Sequence, residues 1–301
     1  MGLFNWNLKS KINQLEGEEQ SNFSKVVSDK ATSIISELSG KGQYEKRKLA
    51  DNVIVFSNSA GGTGASTLIT NVAYTLMDKG LKVLLIDLDI TRPIIHTFFG
   101  IQQDLEKTDL VSYLLGQAPL NEAIDTSKSI NLLYANNRNL QDEINCNDQA
   151  AIVNFEALIK KVRQYYDVVL VDCPMRVDTM LCNTMLYEAD TIYLVWDEGI
   201  GSIINTERLR RNMALSGIDA FTKMKIILNK RTSVHFSDFP IKKLNLELVE
   251  VLPFSIEIID NSLKGQIFCE KGSSPEKNAA EFARKIQVLS DKILKIGGYV
   301  E

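Results

Sequence analysis

The chain is poor in the residues that build disulfide frameworks and metal centres. Among its 301 residues there are four widely spaced cysteines: Cys146, Cys173, Cys182 and Cys269. No C-x-x-C pair occurs, and the chain has only two histidines, His96 and His235. Neither a zinc site nor a disulfide framework is therefore supported, and a reducing cytosol fits the cysteine usage best. We expect both histidines to be ordinary loop or surface residues.

Long apolar runs and a dominant charge are also missing. No uninterrupted apolar segment approaches the roughly 20 residues that span a bilayer, and no signal-peptide pattern is present. The formal net charge is −4, so no overall positive field attracts nucleic acid. We therefore expect a cytoplasmic protein for which nucleic acid is not a partner.

Residues 1–50 differ from the rest of the chain because they are rich in Ser, Lys, Glu and Gln. We interpret them as an appendage and linker, followed by one large domain at residues 51–301. Within residues 1–15, Phe4, Leu8 and Ile12 recur at helical spacing beside Lys9 and Lys11. This amphipathic segment predicts either a peripheral membrane contact through residues 1–12 or a short terminal helix without that role. The small apolar area favours the second interpretation.

From residue 52 onward, short apolar segments alternate with segments of helical periodicity. The apolar segments predict strands at residues 53–56, 82–87, 130–134, 167–172, 191–196, 224–229 and 248–252. Helical patterns cover residues 67–79, 153–165, 203–216 and 275–296, with Pro275 suited to a first helical position. This alternation predicts an α/β fold with a mostly parallel, doubly wound sheet and helices on both faces. Ligands of such sheets bind at the carboxyl ends of the strands.

A glycine-rich segment, N-S-A-G-G-T-G-A-S-T at residues 58–67, joins the first strand to the first helix. It has the outline of the phosphate-binding loop G-x-x-x-x-G-K-[ST], although Ala65 replaces the lysine and Ser59 the first glycine. Ser66 is predicted to bind Mg²⁺ through its hydroxyl, to cap the helix, or both. The predicted phosphate-binding residues are Gly61, Gly62, Thr63, Gly64, Ala65, Ser66 and Thr67.

Polar residues follow several of the later strands. Asp87 and Asp89 are predicted to hold Mg²⁺ through water or to orient an attacking water, and are catalytic only if the protein is active. Asp172 ends an apolar strand and is predicted to bind Mg²⁺ indirectly. Taken singly, each aspartate is equally typical of a helix cap, but their joint order favours a site. Asn229, able to pair with a base edge, and Pro253 complete the predicted cofactor-binding set.

The order of these segments resembles the MinD/ParA superfamily of deviant Walker ATPases. The matching stretches are the glycine loop, V-L-L-I-D-L-D, Y-D-V-V-L-V-D-C-P, A-D-T-I-Y-L-V and the L-N-K strand end. The loop G-G-T-G-A-S-T is most similar to the CpaE/TadZ branch. This resemblance implies a P-loop fold that binds ATP or ADP with Mg²⁺. It also implies a homodimer with protein partners in a membrane-associated pilus or secretion machine, at the inner face of the cell membrane.

The resemblance also exposes two missing lysines. The signature lysine of MinD-like proteins corresponds to Ala60, and the P-loop lysine to Ala65. Losing both cations removes the groups that neutralise the charge of phosphoryl transfer, which predicts weak or absent hydrolysis. The loop amides of residues 61–66, the helix N-terminus and Mg²⁺ remain, so the loop predicts a protein that either binds ATP or ADP or formerly bound it. Arg92 is the nearest substitute cation in sequence.

Two alternatives remain open from the sequence. The first is an active partition or positioning ATPase that uses another cation, with a basic helix face at Arg208, Arg210 and Arg211. The second is a dinucleotide-binding oxidoreductase. Residues 62–67 approximate the fingerprint G-x-G-x-x-G, and Asp87 stands where a ribose-binding acid would follow.

Overall fold

A computed structural model describes residues 51–104, 106–136, 140–174, 179–215, 221–232, 239–271 and 274–296. The chain divides into two units, residues 1–46 and 47–301. The predicted appendage, including the amphipathic segment at residues 1–15, lies outside the described residues. Its role stays a prediction, and so does that of His235.

Seven parallel strands form one sheet in the order β3-β2-β4-β1-β5-β6-β7. The strands are β1 (Val53–Asn58), β2 (Val83–Asp87), β3 (Asn131–Leu133), β4 (Val168–Asp172), β5 (Thr191–Trp196), β6 (Met224–Arg231) and β7 (Glu247–Pro253). The predicted α/β class is confirmed. Strand ends differ from the predicted ends by one or two residues.

Helices cover both faces of the sheet. Those described are α1 (Ala65–Asp78), α2 (Ile95–Phe98), α3 (Leu110–Leu114), α4 (Leu120–Ala123), α5 (Leu140–Asn145), α6 (Gln149–Tyr165), α7 (Met180–Glu188), α8 (Ile200–Leu215), α9 (Phe239–Lys243), α10 (Ile256–Leu263) and α11 (Lys277–Ile296). Two 3₁₀ turns lie at Phe221–Lys223 and Phe268–Lys271. Pro275 was expected in the first turn of α11, but that helix begins at Lys277. Within these helices, none is both long and apolar enough to cross a membrane.

Alternate strand residues face two separate hydrophobic clusters. Val55 and Ile86 belong to the cluster that contains residues of α6, α7 and α8. Ile54 and Leu85 belong to the cluster that contains residues of α1 and α11. Both faces of the central strands are therefore buried, which explains why these strands are apolar throughout and do not alternate with polar residues.

His96 is a departure from the expected surface position. It lies on the short helix α2, is 5% exposed, and stacks on Tyr134 with ring centroids 5.0 Å apart. Burial lowers the pKa of its imidazole. The surface prediction was wrong because α2 packs against α1 and the His96 ring is covered by Tyr134.

Candidate functional site

The glycine loop lies between β1 and α1, as predicted, and two of its glycines have left-handed backbones. Gly62 has φ 83° and Gly64 has φ 91°, a conformation that glycine adopts without the strain of a Cβ atom. Gly64 is the N-cap residue of α1, and no side chain at this position forms a capping hydrogen bond. Ser66 is consequently the second residue of the helix, and the interpretation of Ser66 as the helix cap is wrong.

Several loop amides are available to a ligand. Within the described part of the chain, no protein acceptor is found for the backbone N–H groups of Gly61, Gly62, Gly64, Ser66 and Thr67. The last two belong to the first turn of α1, where the helix dipole favours an anion. The loop therefore has the donors that a phosphate group requires.

Asn58 and Ser59 hold the loop in this shape, and sequence reasoning assigned neither a role. Asn58 Oδ1 accepts hydrogen bonds from Thr63 Oγ1 at 2.6 Å and from the Ala65 amide at 3.1 Å. The buried Ser59 hydroxyl donates to the Val195 carbonyl of β5 at 2.8 Å. Ser59 thus ties the loop to the neighbouring strand at the position where a standard P-loop has glycine. The sequence did contain a signal for Asn58, because an asparagine at the end of a strand and shortly before glycines often forms hydrogen bonds within the following turn.

The carboxylates of β2 and β4 lie beside this loop. The two strands are neighbours, and Asp87 and Asp172 stand opposite each other in register. Ser66 Oγ donates to Asp172 Oδ2 at 2.5 Å, which links the first turn of α1 to the end of β4. The structure thus brings together Ser66, Asp87 and Asp172 as the sequence predicted.

Asp87 also has a structural role. Its carboxylate accepts hydrogen bonds from the amides of Asp89 at 3.0 Å, Ile94 at 3.0 Å and Ile95 at 3.1 Å. These bonds hold the turn that follows β2. The capping interpretation of this residue is therefore compatible with a place in the site.

The two aspartates resist ionising together. Burial raises the pKa of Asp172, the charge of Asp87 raises it further, and the hydrogen bond from Ser66 opposes the shift. Burial also raises the pKa of Asp87, against the effect of its three amide donors. A divalent cation would relieve this repulsion. Two carboxylates and one hydroxyl fit Mg²⁺, which takes one or two carboxylates from the protein and its other ligands from phosphate and water.

Arg92 is not placed at the loop. Its guanidinium lies 3.5 Å from Asp89 Oδ2, and its side chain is 78% exposed. Its backbone amide also donates to Asp89 Oδ1 at 3.2 Å. The expected substitute cation therefore pairs with Asp89. Sequence proximity was misleading because the turn after β2 directs Arg92 to solvent.

The end of β6 contacts the loop through two side chains. Asn229 Nδ2 donates to the Thr63 carbonyl at 2.8 Å, and Lys230 Nζ donates to the Gly62 carbonyl at 2.6 Å. Pro253 lies at the same end of the sheet, paired in register with Arg231. The contact of Asn229 with a base stays a prediction. Sequence reasoning missed Lys230.

The family of the chain follows from comparison with known proteins. A family model described as an AAA domain matches residues 51–230. The chain belongs to this family. The match includes β1, the glycine loop, β2, β4 and most of β6, and hence nearly all the candidate site.

The relatives of the chain include MinD and ParA proteins, and the predicted resemblance to the MinD/ParA superfamily is confirmed. The CpaE/TadZ branch stays a prediction. The septum site-determining protein MinD of Thermotoga maritima is 27% identical over 250 residues, covering 78% of this chain and 88% of MinD. A ParA family ATPase from Chlorobium tepidum has a TM-score of 0.66 at 17% identity, covering 80% and 98% of the two chains. MinD of Pyrococcus horikoshii, solved with Mg-ADP, has a TM-score of 0.65 at 22% identity, covering 83% and 100%. These two structural matches show a shared fold.

The strand order counts against the dinucleotide-binding alternative. The classic dinucleotide fold has the strand order 3-2-1-4-5-6, in which the second strand lies next to the first. Here β4 lies between β1 and β2. Asp87, at the end of β2, is therefore separated from β1 and its glycine loop by β4, and it stands opposite Asp172 of β4.

Proposed function

We propose that the chain is a nucleotide-binding protein in which bound ATP or ADP with Mg²⁺ sets the state of the protein, and in which hydrolysis is weak or absent. One observation carries this proposal. The unpaired amides of the loop lie next to Ser66, Asp172 and Asp87, whereas alanine occupies positions 60 and 65. Binding groups are present, and both lysines that would assist hydrolysis are missing.

Each part of the site has a separate task in this proposal. The loop amides and the first turn of α1 hold phosphate oxygens. Ser66 and Asp172 hold Mg²⁺, with Asp172 acting indirectly, and Asp87 and Asp89 contribute negative charge beside it. When bound, Mg²⁺ neutralises phosphate charge. A preorganised charged donor typically contributes about 3–4 kcal/mol to the transition state, so losing two slows hydrolysis by several orders of magnitude.

The cellular role that we propose is positioning or scaffolding a pilus, secretion or similar cell-surface machine, as in the CpaE/TadZ branch. The resemblance of the loop supports this role. The MinC:MinD complex of Aquifex aeolicus, at 22% identity, has a partner protein bound. We extend that feature to this chain as a homodimer that binds protein partners. It would act in the cytoplasm, beside partner proteins at the inner face of the membrane.

Calorimetry and steady-state kinetics test this proposal together. ADP and ATP are titrated with Mg²⁺ and with chelator, and ATP hydrolysis is followed in parallel. We expect Mg²⁺-dependent binding of both nucleotides and a hydrolysis rate orders of magnitude below that of an active MinD assayed alongside. A rate equal to that of MinD, abolished by Asp172→Ala, would contradict the proposal. Absence of nucleotide binding would also contradict it.

A second candidate is an active ParA/MinD-like ATPase that uses another cation. The ammonium of Lys230 at the Gly62 carbonyl favours it, because this places a positive charge at the loop. Arg208, Arg210 and Arg211 on α8 are exposed, and Arg210 contacts Glu207 and the ring of Phe221. If this candidate is correct, ATP drives dimerisation, which sedimentation with and without ATP measures.

A further inference from the structure

The end of β6 carries a lysine that folds back onto the glycine loop. Besides the bond from Lys230 Nζ to the Gly62 carbonyl, Lys230 Cε lies 3.5 Å from the point where a Cβ on Gly64 would stand. The aliphatic stem therefore lies along the loop, and the ammonium reaches its rim.

The backbone of β6 is bent in a way that aims this side chain. Lys230 has φ 57°, in the left-handed region that residues other than glycine rarely adopt. The register between β6 and β7 also shifts between Leu228 and Arg231. Such irregularities re-aim side chains and recur beside functional sites, where the surroundings hold the strained residue in place. The direction of the Lys230 side chain therefore depends on this left-handed backbone conformation and on the register shift beside it.

The ammonium retains capacity for a ligand. A lysine has three N–H donors, and the Gly62 carbonyl takes one of them. Among the described residues, no carboxylate forms an ion pair with Lys230. The adjacent Asn229 donates to the Thr63 carbonyl and braces the next loop residue. A cation with spare donors thus borders a loop with unpaired amides, and charge-assisted hydrogen bonds of this kind bind phosphate strongly.

We infer that Lys230 is a nucleotide-phosphate ligand, supplying from β6 the positive charge that Ala65 does not supply from the loop. This inference rests on the nucleotide binding of the proposed function, because it concerns the same bound nucleotide, and it makes no statement about the rate of hydrolysis. It reassigns the substitute cation from Arg92, which pairs with Asp89, to a residue more than 160 positions after the loop.

The test compares three variants of Lys230 with a matched lysine on the same strand. Lys230→Met removes the charge, Lys230→Gln keeps a donor without the charge, and Lys230→Arg keeps the charge. Lys225→Met is the control, because Lys225 lies near the start of β6 and pairs with Glu247 at 2.9 Å. Calorimetry measures ADP and adenosine binding to each full-length variant, and a thermal melt checks its fold.

We expect ADP affinity to fall about tenfold or more in Lys230→Met and Lys230→Gln, as for a lost hydrogen bond between charged groups. Lys230→Arg and Lys225→Met should bind ADP nearly as the unchanged protein does. Adenosine, which has no phosphate, should bind all variants equally. The loss of ADP affinity should also shrink with increasing salt concentration, because the lost contact is electrostatic.

Three results would overturn the role of Lys230. One is equal ADP affinity in Lys230→Met and the unchanged protein. Another is full ADP affinity in Lys230→Gln, which would mean that the residue only donates a hydrogen bond to the Gly62 carbonyl and that its charge is not needed. The third is an equal loss for adenosine and ADP. If the unchanged protein itself binds no ADP, the proposed function fails first, a result distinct from these three, and the inference fails with it.

Discussion

Acidic side chains that are buried or partly buried occur in two contrasting settings in this protein. Glu250 on β7 lies between two lysines of α11, with Lys285 Nζ at 2.7 Å and Lys292 Nζ at 3.1 Å. Asp87 and Asp172 face each other at the ends of β2 and β4, and no ion pair among the described residues involves either. The charge of Glu250 is neutralised by lysines of the same chain. The Asp87–Asp172 pair is left with negative charge that a bound cation would neutralise.

The pKa directions of the two settings are opposite. Burial raises the pKa of Glu250, but hydrogen bonds from Lys285 and Lys292 outweigh burial and hold that pKa below its usual value. At Asp172, burial and the charge of Asp87 both raise the pKa. The same physical cost of burial is thus offset by lysines at one position and not at the other. This difference distinguishes a structural ion pair from a site that awaits a ligand.

The largest expected effect concerns the Asp87–Asp172 pair and is measured with nucleotide and Mg²⁺ bound. Asp172→Asn removes a carboxylate but keeps an acceptor for Ser66, so we expect the Mg²⁺-dependent gain in ADP affinity to fall about 10- to 100-fold. Calorimetry with Mg²⁺ and with chelator measures this gain. Asp167→Asn is the matched control, because Asp167 immediately precedes the same strand and accepts from the Lys82 amide at 2.8 Å. Equal losses in both variants would refute the assignment.

The next largest effect concerns the stability that Glu250 gains from Lys285 and Lys292. Glu250→Gln removes the charge that pairs with both lysines, and we expect the free energy of unfolding at pH 7 to fall by about 1–2 kcal/mol. Because the folded pKa of Glu250 is lowered, its contribution is complete above the unfolded pKa of about 4.3. The contribution is lost as the pH falls through the folded pKa.

Denaturant titrations between acidic and neutral pH measure this difference. Glu247→Gln is the control on the same strand, because Glu247 pairs with Lys225 while its side chain is 61% exposed. An exposed pair of this kind contributes about 0–1 kcal/mol. A Glu250→Gln protein as stable at neutral pH as the unchanged one would contradict the ion-pair interpretation.

The smallest effect has the opposite sign. Without Mg²⁺, we expect Asp172→Asn to raise the free energy of unfolding at neutral pH by about 1 kcal/mol, because one of two mutually repelling buried acids is removed. A raised folded pKa means that the stability of the unchanged protein falls as the pH rises from about 3.9, the unfolded value, towards the folded value. The variant should lose less stability over that range. Thermal melts in chelator measure the change, and destabilisation by Asp172→Asn would count against unrelieved repulsion.

Much of the site was predictable because local patterns carry its chemistry. The glycines at 62 and 64, the hydroxyl of Ser66 and the aspartates at the ends of apolar strands all follow from residue type and position. Strand ends at one edge of a parallel sheet bring such residues together. The roles of Asn58 and Ser59 were less accessible, since each depends on which carbonyl or hydroxyl the folded loop presents to it.

Arg92 and Lys230 mark the limit of sequence reasoning. Arg92 follows the carboxylates closely in sequence, yet its side chain is exposed and pairs with Asp89. Lys230 is far from the loop in sequence, yet its ammonium bonds to the Gly62 carbonyl. No periodicity indicates a left-handed lysine or a register shift, because both result from how β6 meets β7 and the loop.

The amino-acid sequence by itself determined the parallel α/β fold, the phosphate loop and the absence of lysine at positions 60 and 65, because apolar periodicity and glycine conformational freedom are local properties. Only the tertiary structure decided that β4 lies between β1 and β2, that Asp87 and Asp172 face each other, and that Lys230 reaches the loop. Charge neutralisation acts across space, so the cations that matter are set by the packing of distant strands.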